Sequence, residues 1–259
     1  MYQYIIYQKV DKKDMFAFLG EHIFYYQSQD LLDDALKVGN PNIYLIQKND
    51  NIVLPDDVVF LGFRENLANI CQDDFYQLSR ASQIRYWQQT HFFCSRCGTR
   101  TTLELFESKD ELATTCPRCL YRQYPRIQPC TITAVTRKIN QRTQILLAYH
   151  NRAKPKQVYS LIAGFVEVGE TLENCVKREV NEEVGLVVDN VRYVASQPWA
   201  FASNLMVGFV ADYVSGEIAI DTDELADAKF FDLDNLPKTP DKGTIAYDLI
   251  EFVKAQAIG

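Results

Sequence analysis

A chain of 259 residues, 47% of them hydrophobic, is globular and long enough to bury a core in one large domain or two to three modest ones. Its 27 basic and 34 acidic residues leave a net charge of -7, so the overall field does not favour polyanions and any nucleotide must be held by a local device. The opening MYQYIIYQKVDKKDM has no basic leader or apolar core of signal length, and no uninterrupted apolar run is long enough to span a bilayer; no membrane partner and a cytoplasmic location are therefore expected.

Residues 1–90 read as an N-terminal α/β domain without recognisable chemistry. Tyr2, Tyr4 and Ile6 give it an alternating, strand-like opening, and further strands are expected over 42–47 and 58–63. Residues 73–90 read as a helix, with Phe75, Leu78, Ala81, Ile84 and Trp87 spaced three apart along one side.

Residues 91–124 are turn-rich and too few for an apolar core, so something other than burial must stabilise them. Cys94-Ser-Arg-Cys97 and Cys116-Pro-Arg-Cys119, 18 residues apart, each let two thiolates converge on one ion, and four thiolates suit tetrahedral Zn²⁺. With four protein ligands no position is open to a substrate, so the zinc is expected to be structural. The other cysteines, Cys71, Cys130 and Cys175, stand singly in apolar sequence, as suits a reducing compartment. Arg96, Arg100, Arg118, Arg122 and Arg126 tint this zinc ribbon basic. Glu104, Glu107, Asp110 and Glu111 offset most of that, which favours a spacer or dimer element over a nucleic-acid contact.

From residue 125 onward, 131–135, 144–149, 158–162, 191–196, 205–214 and 229–233 read as strands, and 171–184 and 244–257 as helices. Strands outnumber helices in irregular order, which argues for a mixed sheet with helices packed on it.

The first of these helices carries three glutamates within five residues. Winding 172–184 at about 100° per residue puts Cys175, Val176, Val180 and Val184 on the buried side. Glu179 and Glu183 fall within that side and Glu182 at its edge, while Asn174, Lys177 and Asn181 lie opposite. Carboxylates stacked inward at i, i+3 and i+4 repel one another and lose hydration, at a cost of several kcal/mol per unpaired charge. Such a cluster persists if cations enter it, and Mg²⁺ or Mn²⁺ prefer oxygen ligands. A solvated acidic helix end is the alternative; the inward direction and the Gly-rich lead-in 164–170 speak against it. Arg178 is placed to orient a carboxylate by a bidentate contact.

Residues 164–186 resemble the Nudix hydrolase signature, supplying Gly164, Glu170, Arg178, Glu179, Val180, Glu182, Glu183, Gly185 and Leu186 without departure. The resemblance implies a mixed-sheet α/β/α sandwich over 125–259, behind the ribbon (91–124) and the N-terminal domain (1–90). It implies a hydrolase of nucleoside diphosphates linked to another group. Glu179, Glu182 and Glu183 would be metal ligands, with Glu170 and Arg178 holding loop and helix in shape. In this family a signature Glu, or one from a later loop, takes the proton from the attacking water. Glu224, in the acidic stretch DTDEL at 221–225, is the later candidate as ligand and base, the other reading being a surface acid near a turn.

Downstream lies SQPWAFASNLM, residues 196–206. Trp199 and Phe201, two apart after a strand, project to one side and either stack on a base or pack as core, and Gln197 is placed to bond a base edge. A zinc ribbon before the signature and this element after it resemble the NADH pyrophosphatase subfamily. That similarity runs from about residue 91 to the end, through YPRIQPC (124–130) and KGTIA (242–246). It implies a homodimer whose dinucleotide site includes Gln197, Trp199, Phe201 and Asn204. Phe165 and Tyr124 of the partner subunit would sandwich the nicotinamide, with Ala246 nearby. Ala200 and Ala202 replace two prolines of the element and Asn204 its final serine, with Ser203 one place earlier. The loop is thus less preorganised and the bond expected at 204 is altered.

The expected reaction is cleavage of NADH, and less readily NAD⁺, to the mononucleotide and AMP. Removal of an NAD cap from RNA 5′ ends, hydrolysis of ADP-ribose, and a nucleic-acid regulator with a non-catalytic Nudix domain are the rival readings.

Overall fold

The computed structural model describes residues 1–11, 13–30, 32, 34–39, 43–106, 111–151, 157–201 and 203–258. They divide into two compact units, 1–127 with 199–203, and 128–198 with 204–259.

In the first unit, strands β1 (Tyr2–Val10), β2 (Lys13–Leu19), β3 (His22–Ile23), β4 (Tyr25–Ser28), β5 (Leu36–Gly39), β6 (Ile43–Gln47) and β7 (Val59–Gly62) form one sheet. Its order is β3-β2-β1-β6-β5, with β4 also pairing on β1 and β7 on β2. The expected strand at 42–47 is β6; residue 42 itself lies outside the described residues. The alternating opening is only half the story of β1, because Tyr4, Ile5, Ile6 and Tyr7 are all buried. Ile5 and Tyr7 face one apolar cluster, Tyr4 and Ile6 another, and a strand covered on both faces keeps no polar side.

Helix α1 (Gln72–Thr90) buries Phe75, Leu78, Ala81, Ile84 and Trp87 as their spacing predicts. The larger of these, such as Phe75, Leu78 and Ile84, each contribute about 1.5–3 kcal/mol of transfer free energy when fully buried. The ribbon follows as β8 (Thr102–Phe106) and β9 (Glu111–Thr115), antiparallel, with β10 (Arg122–Gln123) on β9. Of the acids expected to offset the ribbon arginines, Glu107 and Asp110 lie outside the described residues, as does Ala202.

The second unit is built on β11 (Gln128–Ile139), β12 (Arg142–His150), β13 (Ile162–Phe165), β14 (Val187–Trp199), β15 (Asn204–Ser215) and β16 (Leu225–Asp232). The order is β14-β15-β11-β12-β16, with β13 also on β11. β11 runs parallel to β15 and antiparallel to β12 and β13, so the sheet is mixed. Successive residues of β11, β12 and β15 point to opposite faces. Val135, Leu146, Ala148 and Phe209 pack with helix α2 (Leu172–Val184), while Ala134, Ile145, Leu147 and Val210 pack with α3 (Ile245–Ile258). This is the expected α/β/α sandwich.

One expected strand is absent: 158–162 forms only a bridge between Ser160 and Ala148, and regular pairing starts at Ile162. Its backbone bonds go to two partners, Tyr159 N–H to Lys238 O and Ser160 to Ala148, instead of one neighbouring strand. No helix among the described residues is long and apolar enough to cross a membrane.

Candidate functional site

Helix α2 begins and ends where its cap residues dictate. Thr171 is extended and its hydroxyl accepts the Asn174 N–H at 3.2 Å. Gly185 takes the left-handed conformation, φ 71°, and its N–H bonds Asn181 O at 2.8 Å. Cys175, Val176, Val180 and Val184 are buried against the sheet, and Glu183 with them, at 3% exposure. The side chain of Glu179 is 15% exposed and that of Glu182 59%, so the three acids run from core to rim as the helical winding predicts.

Arg178 organises this face. Its Nε and Nη2 each bond one oxygen of Glu170 at 2.8 Å, a bidentate fork across eight residues of chain. Its Nη1 bonds Glu179 Oε1 at 2.7 Å and Glu182 Oε2 at 3.0 Å, and Nη2 also bonds Phe165 O at 2.9 Å. Glu170 in turn accepts the Glu167 N–H at 3.0 Å. The Arg178 fork and that N–H hold the Glu170 carboxyl down at about 2, and the carboxylates keep Arg178 protonated. One guanidinium thus locks the Gly-rich loop onto the helix.

Glu179 behaves in the opposite sense. Burial raises its pKa, Arg178 opposes the rise, and the charges of Glu182 and Glu224 add to it. Its carboxylate lies directly over Gly164 of β13. A Cβ there would stand 1.8 Å from Glu179 Cδ and 2.0 and 2.1 Å from its oxygens, so the signature glycine is required for room.

Glu224 is exposed in the 221–225 turn, which is held against the end of α2. Asp221 N–H bonds Glu183 O at 2.9 Å and Ala219 N–H bonds Val184 O at 3.0 Å, while Asn151 N–H bonds Glu224 O at 2.9 Å. The structure therefore brings Glu224 into the electrostatic range of Glu179, though 45 residues separate them in sequence. Glu179, Glu182 and Glu183 on α2, with Glu224 in electrostatic range of Glu179, supply carboxylate oxygens, and one guanidinium serves Glu170, Glu179 and Glu182. That donor set, with the space kept open by Gly164, fits a hard divalent ion such as Mg²⁺ or Mn²⁺.

The ribbon cysteines converge as their spacing predicts. Cys94 Sγ lies 3.7 Å from Cys119 Sγ and Cys97 Sγ 3.5 Å from Cys116 Sγ. Zn–S bonds of about 2.3 Å in a tetrahedron require edges of about 3.8 Å, so the four sulfurs already outline a zinc site. The two knuckles repeat one geometry: Gly98 N–H bonds Cys94 O at 2.9 Å, and Leu120 N–H bonds Cys116 O at 3.0 Å. The Thr99 hydroxyl beside Cys97 draws that thiol down to about 6. The Tyr121 N–H works the same way on Cys119, but burial and the neighbouring thiols carry it up to about 12. Four thiols this close cannot all ionise without a dication.

The residues expected to read the substrate fall in both units, Tyr124, Trp199 and Phe201 in the first and Phe165, Gln197, Asn204 and Ala246 in the second. Phe165 is 53% exposed at the end of β13, and Tyr124 is 48% exposed with the Arg122 guanidinium 5.4 Å from its ring centre. Ala246 is buried in the first turn of α3, and Asn204 opens β15 opposite Gln128. Gln197 uses both ends of its amide within the chain: Nε2 donates to Gly243 O at 3.0 Å and Oε1 accepts the Ile245 N–H at 2.9 Å. It thereby fixes the turn at Gly243 and the start of α3, where Ala246 lies.

Trp199 and Phe201 meet edge to face at 4.9 Å and pack on the apolar cluster of the first unit, Phe201 also 5.4 Å from Phe63. Phe201 lines a cavity of about 380 Å³ there, with Phe16, Arg64, Arg85 and Tyr86. The Arg64 guanidinium stands 5.9 Å from the Trp199 ring and 5.4 Å from that of Phe201. Sequence reasoning did not single out Arg64, because no motif marks it.

The profile of the NUDIX domain family matches residues 131–251. A relative from Vibrio cholerae serotype O1 named NAD-capped RNA hydrolase NudC is 50% identical over 212 residues, covering 82% of this chain and 74% of the relative. One of the same name from Haemophilus influenzae strain PittEE is 42% identical over 232 residues, covering 86% and 83%. Among solved structures, a NUDIX hydrolase from Nitrosomonas europaea aligns with a TM-score of 0.53 over 64% of this chain and 93% of its own, at 23% identity, a likeness of fold alone.

Proposed function

The chain belongs to the Nudix hydrolases, in their NudC-like group, and on that premise we propose that it hydrolyses the pyrophosphate of nicotinamide adenine dinucleotide. The dinucleotide is either free, NADH before NAD⁺, or joined to the 5′ end of RNA; the names of the relatives favour the capped RNA. The observation that carries the proposal is the Glu179 carboxylate seated over Gly164, held by Arg178 and flanked by Glu182, Glu183 and Glu224.

A pyrophosphate repels an incoming water oxygen by its own negative charge. A divalent ion, Mg²⁺ or Mn²⁺, held by Glu179, Glu182, Glu183 and Glu224 would supply the positive charge that offsets this. Glu224, exposed at the edge of the cluster, is assigned the proton of the attacking water. The new P–O bond forms as the bond to the bridging oxygen breaks, leaving two monophosphates. Arg178 and Glu170 position the helix and loop and do not touch the substrate. Phe165 and the partner subunit's Tyr124 are about half exposed and available to stack on a nicotinamide, and Gln197 acts through the start of α3, where Ala246 lies. A homodimer and structural zinc at Cys94, Cys97, Cys116 and Cys119 complete the proposal.

The test is product identification with purified protein, Mg²⁺ or Mn²⁺, and NADH, NAD⁺ and NAD-capped RNA side by side. Nicotinamide mononucleotide released with AMP, or with 5′-monophosphate RNA, is the expected result. Cleavage confined to unrelated nucleotides would refute the substrate assignment.

A further inference from the structure

We propose that His22, Cys71 and Asp74 form a second metal site, of the Zn²⁺ class, separate from the four-thiolate centre and from the carboxylate helix. Three elements of the first unit bring the donors together. His22 starts β3 after the tight turn at Gly20 (φ 63°), Cys71 is the N-cap of α1, and Asp74 lies in the first turn of that helix. His22 Nδ1 is 3.1 Å from Asp74 Oδ2 and 3.7 Å from Cys71 Sγ, and the three donor atoms lie within 4.8 Å of one another. A tetrahedral zinc with bonds of about 2.0–2.3 Å to N, O and S needs ligand edges of about 3.3–3.6 Å, so the two edges at His22 are within a few tenths of an ångström of that geometry, and the Cys71–Asp74 edge, within 4.8 Å, closes by rotation of the exposed thiol.

Three details separate this cluster from a simple hydrogen-bonded tie. The first is the cap: an oxygen side chain at the N-cap would accept a helix N–H, but the Cys71 thiol makes no capping bond and turns to the imidazole instead. The second is which nitrogen is used. Both Cys71 and Asp74 approach Nδ1, whereas a nucleophilic triad needs the thiol on one ring nitrogen and the carboxylate on the other. Convergence on one point is what a shared ion requires. The third is the fixing of the carboxylate. Asp74 is buried, and its Oδ2 also accepts the Ile23 N–H at 3.0 Å, the kind of outer bond that holds a metal ligand in place.

The His22 side chain is 70% exposed and Cys71 is exposed, so an ion can enter and water can complete its coordination. Thiolate, imidazole and carboxylate together suit Zn²⁺ and discriminate against Mg²⁺, which has no use for sulfur. Cys71, expected from the sequence to sit in apolar surroundings, is instead open to solvent beside a histidine 49 residues earlier.

The experiment uses the whole chain, zinc-loaded at the ribbon, in excess Mg²⁺ to occupy the carboxylate cluster. On titration with Co²⁺ the wild type should bind one further equivalent that shows a near-ultraviolet thiolate-to-cobalt charge-transfer band. Cys71→Ser should lose that band while its thermal midpoint without added metal does not fall below the wild-type value, since serine is the better N-cap. His22→Ala should weaken uptake by more than the ~100-fold that loss of an outer-sphere partner costs. A wild type without the added band, or a band of equal intensity in Cys71→Ser, overturns the proposal.

Discussion

Replacing Gly164 with alanine adds one methyl group at the point where the strand and the acidic helix meet. The backbone accepts it, since Gly164 is an ordinary residue of β13 paired with Thr131. The methyl carbon would stand 1.8 Å from Glu179 Cδ, against an ordinary contact of about 3.5 Å, so the carboxylate must retreat by roughly 1.5 Å. Glu179 has a flexible tip and can do so, but it leaves the 2.7 Å bond to Arg178. Losing a charge-assisted bond costs about 1.5–3 kcal/mol, and alanine in a strand returns about 0.5–1 kcal/mol relative to glycine. The thermal midpoint should therefore fall by only a few degrees. Turnover should fall far more: displacement of a reacting group by about 1 Å can cost roughly 100-fold, or about 2.7 kcal/mol of barrier. Steady-state rates on the preferred substrate, with circular dichroism and a melting curve, provide the assay. A folded Gly164→Ala protein with kcat within about threefold of wild type would refute the idea that the Glu179 position depends on that space.

Glu183→Gln should leave the fold intact and reduce turnover by orders of magnitude, because an amide binds a divalent ion poorly; near-normal kcat would show the buried acid to be structural. Glu170, with its pKa depressed from 4.5 to about 2, contributes stability that is fully present above pH 4.5 and lost as the pH falls toward 2. The melting-temperature gap between wild type and Glu170→Gln should accordingly narrow as the pH is lowered through that window, and a gap independent of pH would contradict the assignment. Cys116→Ser should lower both the zinc content and the thermal midpoint, and a variant that keeps both argues against a four-thiolate centre. Leu120 holds φ 56° at the place where the first knuckle has Gly98 at φ 72°. Leu120→Gly should therefore raise the zinc-loaded protein's stability by up to ~1 kcal/mol, and a clear drop would show that the leucine is not strained.

Much of the site was legible because its signals are local. Thr171 and Gly185 bracket α2, the helical period turns Glu179 and Glu183 inward, and two close cysteine pairs announce a tetrahedral centre. What the chain order hides is long-range. Nothing near Gly164 says that a carboxylate fifteen residues later will rest on it, and nothing near His22 points to Cys71 and Asp74. Burial of β1 on both faces was equally invisible, since it depends on which strands arrive beside it and not on its own pattern. The segment 199–203 joins the first unit although its flanking strands belong to the second, a division that composition does not mark.

The amide of Gln197 offers a last consequence. It must give a proton at one end, to Gly243, and take one at the other, from Ile245. A glutamate at 197 would forfeit the first bond, a lysine the second, and a leucine both, while β14 itself lost nothing. Any rewriting of 243–246 therefore inherits a constraint set nearly fifty residues upstream, and the two stretches have to be redesigned as one.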